Sequence, residues 1–296
     1  MGTSCSLLFY AQQNGRAKQL ANQVIKDVQR LEKRYSRYRQ DSFLSKINRV
    51  AAIGGSISVD IETAGLLNYA AACYNQSDGL FDITSGVLRR LWRFDSQCLP
   101  SEEAIAALLQ TIGWEKLTWR PPVLTFLMPG MEIDFGGIVK EYAVDRVASH
   151  CWSAGIRHGI INLGGDIKII GPQADGSPWR VGIRHPRSPD ETLSTLLLTQ
   201  GALASSGDYE RCIIIDGVRY GHIINPKTGW PVQFLASVSV VGDFCVVAGS
   251  GSTIAMLKEE QGPQWLIDLG LDHVWMDIQN NIGGTLSASM NTKIQV

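Results

Sequence analysis

The sequence predicts an α+β fold, and three observations carry that prediction. Stretches with three- and four-residue apolar spacing stand beside stretches of alternating or continuous apolar residues, so helices and strands both occur. In the second half the strand-like stretches follow one another with few helices between them, which favours α+β over a doubly wound parallel sheet. No internal repeat, low-complexity tract or long linker divides the 296 residues, so a single domain over 1–296 is expected.

The elements follow in order. Ser6 to Tyr10 is strand-like. Residues 17–35 form an amphipathic helix, with Ala17, Leu20, Ala21, Val24, Val28, Leu31 and Tyr35 on one face. A second helix is expected over 61–75 and a third over 102–112, where Ser101 precedes two glutamates in the first turn. Met131 to Asp134 reads as a strand ending in glycines, and helical spacing runs from Ile138 to Trp152. Strands are then expected at Gly159 to Leu163, Trp179 to Ile183, Thr195 to Thr199, Cys212 to Ile215 and Ser237 to Val241. Asp216-Gly217 is a hairpin signal joining the Cys212 strand to Val218-Arg-Tyr220. A helix over Val247 to Lys258 completes the pattern.

With 45% hydrophobic and 19% charged residues, the chain reads as an ordinary soluble globular protein able to bury a substantial core. A formal charge of −1 and the lack of a basic stripe argue against a nucleic-acid partner. The six cysteines are scattered with no Cys-x-x-Cys pair, which argues against a zinc site or a disulfide framework and suits a reducing compartment. No signal-peptide pattern or long apolar run appears, so no membrane anchor and a cytoplasmic location are expected.

Chemistry concentrates in polar turns bounded by glycine. In Tyr220-Gly-His-Ile-Ile-Asn-Pro-Lys-Thr-Gly-Trp-Pro231, Pro226 fixes φ and Gly229 supplies φ > 0, so the chain reverses and presents His222, Asn225 and Thr228 on one rim. Histidine moves protons near neutral pH, with an ordinary pKa of about 6.5. The other four histidines lie outside the turns and read as structural or surface residues. Asp134-Phe-Gly-Gly-Ile-Val-Lys140 joins a strand end to a helix start, where glycines admit close backbone approach and free N–H groups suit phosphate. Lys140 can reach the same anion, and Asp134 can accept from a sugar hydroxyl or base edge. A tight turn capped by Asp134 explains the same stretch without any ligand.

Asn162-Leu-Gly-Gly-Asp166 repeats the device, and Leu203-Ala-Ser-Ser-Gly-Asp-Tyr209 reads as a third such turn. Ser77-Asp-Gly-Leu-Phe-Asp-Ile-Thr84 offers Asp82 and Thr84 beside an aromatic, and Tyr38 can stack on a flat ring or pack at a rim. Ser206 with His222 and an aspartate would make a hydrolase triad, but no Gly-x-Ser-x-Gly elbow supports it. Asp134-Phe-Gly does not make a kinase without the rest of that signature.

These motifs, taken with Met1-Gly-Thr3, Tyr35-Ser-Arg-Tyr38 and Asp41-Ser42, occur in the order and rough spacing of the ApbE family, from Met1 to about Leu257. The chain resembles these FAD:protein FMN transferases, and the resemblance implies an ApbE-like, T-fold-like arrangement of mixed sheets with packed helices. It also implies that FAD is the substrate and that the cofactor is a divalent cation, usually Mg²⁺. The FMN moiety would pass to a threonine or serine of an acceptor protein, with release of AMP. By the same resemblance Met1, Tyr38, Leu80, Phe81, Asp82, Asp134, Lys140 and Ile223 line the FAD site, and His222 accepts the proton. The Gly137 carbonyl, Ser252 and Thr253 are the implied metal ligands.

Two departures stand out. The family's metal helix carries an aspartate four residues before the threonine, on the same helix face, and here that position is Gly249. A hard cation prefers anionic oxygen, so the loss is expected to weaken metal binding, and Gly249→Asp is expected to restore it. Gly249 and Gly251 also each lower helix propensity by roughly 1 kcal/mol. Asp243 is off that face, which leaves a water or Asp166 to fill the gap. The second departure is Glu141, where glycine is usual after the lysine. An FAD binder with weak or no transfer is therefore the alternative reading.

Overall fold

The computed structural model describes residues 4–11, 14–96 and 98–287. It opens with strand β1 (Cys5–Phe9), helices α1 (Asn14–Tyr35) and α2 (Phe43–Ile53), strand β2 (Gly55–Ser58) and helix α3 (Ile61–Gln76). A 3-10 segment, Ile83–Arg90, leads to helix α4 (Glu102–Leu109), strands β3 (Leu117–Arg120) and β4 (Val123–Phe126), and helix α5 (Val139–Ser153). Strands β5 (Gly159–Leu163), β6 (Asp166–Gly171), β7 (Trp179–Arg184), β8 (Thr192–Leu198), β9 (Ala202–Gly207), β10 (Cys212–Ile215), β11 (Val218–Gly221) and β12 (Leu235–Gly242) follow. Helices α6 (Cys245–Leu257) and α7 (Gly262–Asp268) precede β13 (His273–Asp277) and β14 (Ile282–Gly283). Among the described residues no helix is long and apolar enough to cross a membrane.

The chain forms two compact units. The first draws its described residues from the stretch up to Glu32, from Val139–Tyr209 and from Phe234 onward. Its centre is a seven-stranded antiparallel sheet in the order β1-β5-β6-β9-β12-β13-β14. β6 is buried at every position and β12 at all but its last, as expected of strands covered on both faces. Ile167, Ile169, Leu203, Val241 and Met276 share a core with Trp179, Val181 and Leu196 of the β7–β8 hairpin. Helix α5 packs on β6, and α6 packs on β9 and β12. Small residues make that second contact possible, since Ala202 and Ala204 of β9 and Ala248, Gly249, Gly251 and Ser252 of α6 are buried. The first two N–H groups of α6 donate to Asp145 of α5, Cys245 N to Oδ1 at 2.9 Å and Val246 N to Oδ2 at 3.0 Å. That carboxylate meets the orphan donors that Phe244, at the cap position, cannot.

The second unit comprises Lys33–Ile138 and Glu210–Gln233. It holds a three-stranded sheet, β2-β4-β3, and the β10–β11 hairpin. Its helices start on side-chain caps, with Ser42 accepting from Ser45 N at 2.9 Å, Asp60 from Thr63 N at 3.0 Å and Ser101 from Ala104 N at 3.2 Å. Asp216 at φ 52° and Gly217 at φ 79° turn the hairpin as an Asp-Gly pair should. Trp92 stacks on Tyr220 at 5.8 Å and meets Trp230 edge-on at 5.3 Å, tying the segment after Trp230's turn to the 3-10 region.

Several expectations change. Met131 to Asp134 is not a strand. Ile133 exchanges both backbone bonds with the Asn48 side chain, at 2.9 Å each, and Asp134 N donates to Ile83 O at 2.8 Å, so the segment's partners are a side chain and a 3-10 turn. Leu203-Ala-Ser-Ser-Gly is not a turn but most of β9, paired along its length with β12. The third helix stops at Leu109, and α2, the β2-β4-β3 sheet, β6 and β13 were not anticipated.

Candidate active site

In the second unit, Phe81 and Asp82 are placed by a bend in which Asp78 and Gly79 both have positive φ. Ser77 Oγ accepts from Phe81 N at 2.8 Å, and Leu80, half-buried, donates its N–H to Ser77 O. The Phe81 ring lies against the backbone of Gly137, where an added methyl would come within 3.2 Å of Cζ. Asp82 serves the loop itself. It accepts from Thr84 N at 2.8 Å, Thr84 Oγ1 at 2.7 Å and Trp114 N at 3.0 Å, and it is buried. Burial pushes its carboxyl up, while those donors hold the charged form.

Asp134 is clasped by arginines. Its Oδ2 pairs with Arg37 Nη1 and Arg89 Nη1, each at 3.0 Å, and its Oδ1 accepts from Gly136 N at 2.9 Å. Arg37 also reaches Glu132, at 3.5 Å, and Arg90 pairs with Glu132 at 2.8 Å. Gly86 admits the carboxylate, since a methyl there would meet Asp134 Cβ at 2.8 Å. Tyr38 is 74% exposed, with its ring beside Arg37 and its hydroxyl 3.4 Å from Arg211 Nη1. Arg37 sits within Tyr35-Ser-Arg-Tyr38, and no local signal pairs it with Asp134.

His222 follows β11, half-buried, with Nδ1 shielded from solvent. Ile223 is buried, and its carbonyl accepts from Val232 N at 3.0 Å. The reversal behind them is closed by Gly229 N to Asn225 O at 2.8 Å and Asn225 N to Trp230 O at 2.9 Å. Asn225 Oδ1 accepts from Lys227 N at 2.9 Å and Thr228 Oγ1 from Trp230 N at 3.2 Å, so these two side chains shape the turn. Gly229 has φ 75°, and Trp92 Nε1 donates to its carbonyl at 2.8 Å. A methyl on Gly229 would meet Ile105 Cγ2 at 2.3 Å. Gly229→Ala is therefore expected to cost about 2 to 4 kcal/mol, from the left-handed backbone and the overpacking together. Urea unfolding measures that loss, and wild-type stability in the variant would contradict the geometry.

The 3-10 segment Ile83–Arg90 joins these groups within the unit. Its first residue binds Asp134 N, its Arg89 pairs with Asp134, and its Leu88 lies against Gly229.

The first unit holds the remaining candidate residues. Met1 lies outside the described residues. Lys140, in the first turn of α5, binds the Asp166 carboxylate and stands 3.4 Å from Glu141 Oε1. Burial opposes the Lys140 charge, but Glu141 and Asp166 beside it raise its pKa overall. Burial, with the Glu141 charge beside it, pushes the Asp166 carboxyl up against the pull of Lys140. Asn162 Oδ1 accepts from Gly165 N at 2.8 Å and so shapes the turn that delivers Asp166.

Ser252 and Thr253 of α6 meet Ser206 of β9, with Ser206 Oγ 2.9 Å from both hydroxyls. These bonds, rather than a histidine, occupy the serine of the imagined hydrolase triad. Ser206 thus holds two of the candidate ligands, a contact its motif does not announce. Asp208 of the same motif is held bidentately by Arg187 at 2.6 and 2.7 Å.

The oxygen donors suit a hard cation. Hydroxyls cluster on α6 and β9, and Glu141 Oε2 is buried with no hydrogen-bond partner. Among the described residues no three of His, Cys, Asp and Glu group as a metal cage. A Cβ at 249 would meet Glu141 Cγ at 2.4 Å, so an aspartate at that position requires the Glu141 side chain to move.

This mixed α+β architecture is shared with solved ApbE proteins. The ApbE family model matches residues 1–275. The chain is 33% identical over 272 residues to the FAD:protein FMN transferase of Vibrio cholerae serotype O1, covering 88% of this chain and 80% of that one. It resembles the solved apbe protein of Thermotoga maritima with a TM-score of 0.88 and 30% identity, covering 98% of this chain and 96% of the other. The apo form of the Pseudomonas stutzeri flavinyl transferase ApbE gives a TM-score of 0.88 at 25% identity, with 99% and 95% covered. The chain belongs to the ApbE family.

Proposed function

We propose that this protein is an FAD:protein FMN transferase that moves the FMN moiety of FAD onto a threonine or serine hydroxyl of an acceptor protein. The observation that carries the reading is the family match over 1–275, which spans both units and supports treating them as one functional domain. In this reading Tyr38 stacks on a flat ring of FAD, Leu80, Phe81 and Ile223 supply apolar contact, and Asp134 orders the polar end through its arginines. Asp82 acts by fixing the loop that carries Phe81. Lys140 faces the pyrophosphate.

The acceptor oxygen bonds to the FMN phosphorus, the bond from that phosphorus to the bridging oxygen breaks, and AMP leaves. His222 takes the proton from the acceptor hydroxyl. A divalent cation, Mg²⁺ in the cell, neutralises the pyrophosphate charge when bound. The hydroxyls of Ser252 and Thr253 and the Gly137 carbonyl are its proposed neutral ligands. The six cysteines form no disulfide, which supports a cytoplasmic location. The alternative of an FAD binder without transfer is not favoured, because the relatives matched carry transferase names.

The test is mass spectrometry of an acceptor domain after incubation with the protein, FAD and Mg²⁺. A gain of one FMN that disappears on chelation is expected. An unmodified acceptor with FAD bound to the protein would contradict the proposal.

A further inference from the structure

We propose that Glu141 supplies the carboxylate ligand of the divalent cation in this chain, entering from α5 through the notch that Gly249 leaves in α6. The inference deepens the transferase reading and rests on it for the role of the metal.

The first support is steric. The space beside position 249 is filled by the Glu141 side chain, since a Cβ built there would lie 2.4 Å from Glu141 Cγ, 3.1 Å from Cδ and 3.2 Å from Oε1. A carboxylate therefore already stands where a short acidic side chain at 249 would reach. Glycine at 249 is what admits it. The two departures from the family pattern explain each other, because an acidic residue at both positions would contest one volume.

The second support is an unmet oxygen. Glu141 is 6% exposed, and its Oε2 is buried with no hydrogen-bond partner. Leaving a buried charged acceptor unsatisfied is costly, and a bound cation would satisfy it. Lys140 cannot serve both acids fully. Its ammonium binds Asp166 and stands farther from Glu141, at 3.4 Å from Oε1. Two buried carboxylates thus share one ammonium, and a bound cation would offset their mutual repulsion. Asp166, the other candidate for the gap, is already taken by Lys140.

The third support is the surrounding donor set. Position 249 is one helical turn before Thr253, on the same face. Ser252 Oγ donates to Gly249 O at 3.0 Å, and both hydroxyls lie 2.9 Å from Ser206. Neutral oxygens and one carboxylate, completed by water, suit Mg²⁺ or Mn²⁺.

The test is a Mn²⁺ titration of the full chain without FAD, followed by the electron paramagnetic resonance signal of free Mn²⁺. Glu141→Gln keeps the shape of the side chain and is expected to weaken binding roughly tenfold or more, the size of loss that disturbing a metal site commonly brings. Gly249→Asp alone is expected to bind no better than wild type, because the new side chain meets Glu141. The double variant Glu141→Gly with Gly249→Asp moves the carboxylate across and should regain most of the lost affinity. Wild-type affinity in Glu141→Gln, no Mn²⁺ uptake by the wild type, or a double variant as weak as Glu141→Gln would each overturn the assignment. A protein that binds Mn²⁺ through Glu141 yet labels no acceptor would sink the transferase reading and leave this one standing.

Discussion

His222→Ala is expected to lower FMN transfer about 10²- to 10⁴-fold, the range for losing a positioned general base, while FAD still binds. The imidazole stands at the end of β11, ahead of a turn held by hydrogen bonds of Asn225, Thr228, Gly229 and Trp92. Those bonds survive the substitution, so the turn should keep its shape. FAD affinity measured by fluorescence quenching, together with transfer measured by acceptor mass, separates two roles. Loss of affinity in step with transfer would make His222 a structural residue. Unchanged transfer would remove it from proton transfer altogether.

Asp134→Ala is expected to destabilise the protein by about 2 to 3 kcal/mol. Breaking a buried ion pair by removing one partner costs about 3 to 5 kcal/mol. The value here is discounted because the Arg37 and Arg89 side chains retain 18% and 35% exposure. The carboxylate side chain itself is only 10% exposed, and it also accepts the Gly136 amide. The substitution leaves two guanidinium groups facing each other without their shared acceptor. FAD affinity should fall as well, because the loop carrying Gly136 and Gly137 loses its anchor. A melting temperature equal to wild type would show that the arginines find other partners, and the network would then carry little of the fold.

Much of the architecture was legible along the chain. β5 and β10 have the bounds that apolar runs and flanking turn residues give them, and Asp216-Gly217 made its hairpin because both residues tolerate positive φ. β9 was misread because alanine, serine and glycine are poor strand formers in isolation. Its small side chains answer a tertiary demand, the close approach of α6, that the local sequence does not display. Met131 to Asp134 failed for the opposite reason. It looks like a strand, but Asn48 takes its hydrogen bonds.

The site was legible in the same uneven way. Glycine-bounded turns and the histidine stood out, and so did the missing acid at Gly249. Its compensation did not, because Glu141 and Gly249 meet only when α5 packs on α6. Arg37, Arg89 and Ser206 likewise acquire their roles from partners distant in sequence.

The most direct measurement counts products in one reaction of protein, FAD, Mg²⁺ and acceptor. Chromatography of the nucleotides and mass spectrometry of the acceptor should yield one AMP for each FMN attached, with no free FMN. AMP accompanied by free FMN and a bare acceptor would mean that water, not a protein hydroxyl, cleaves the pyrophosphate, and group transfer to protein would be contradicted.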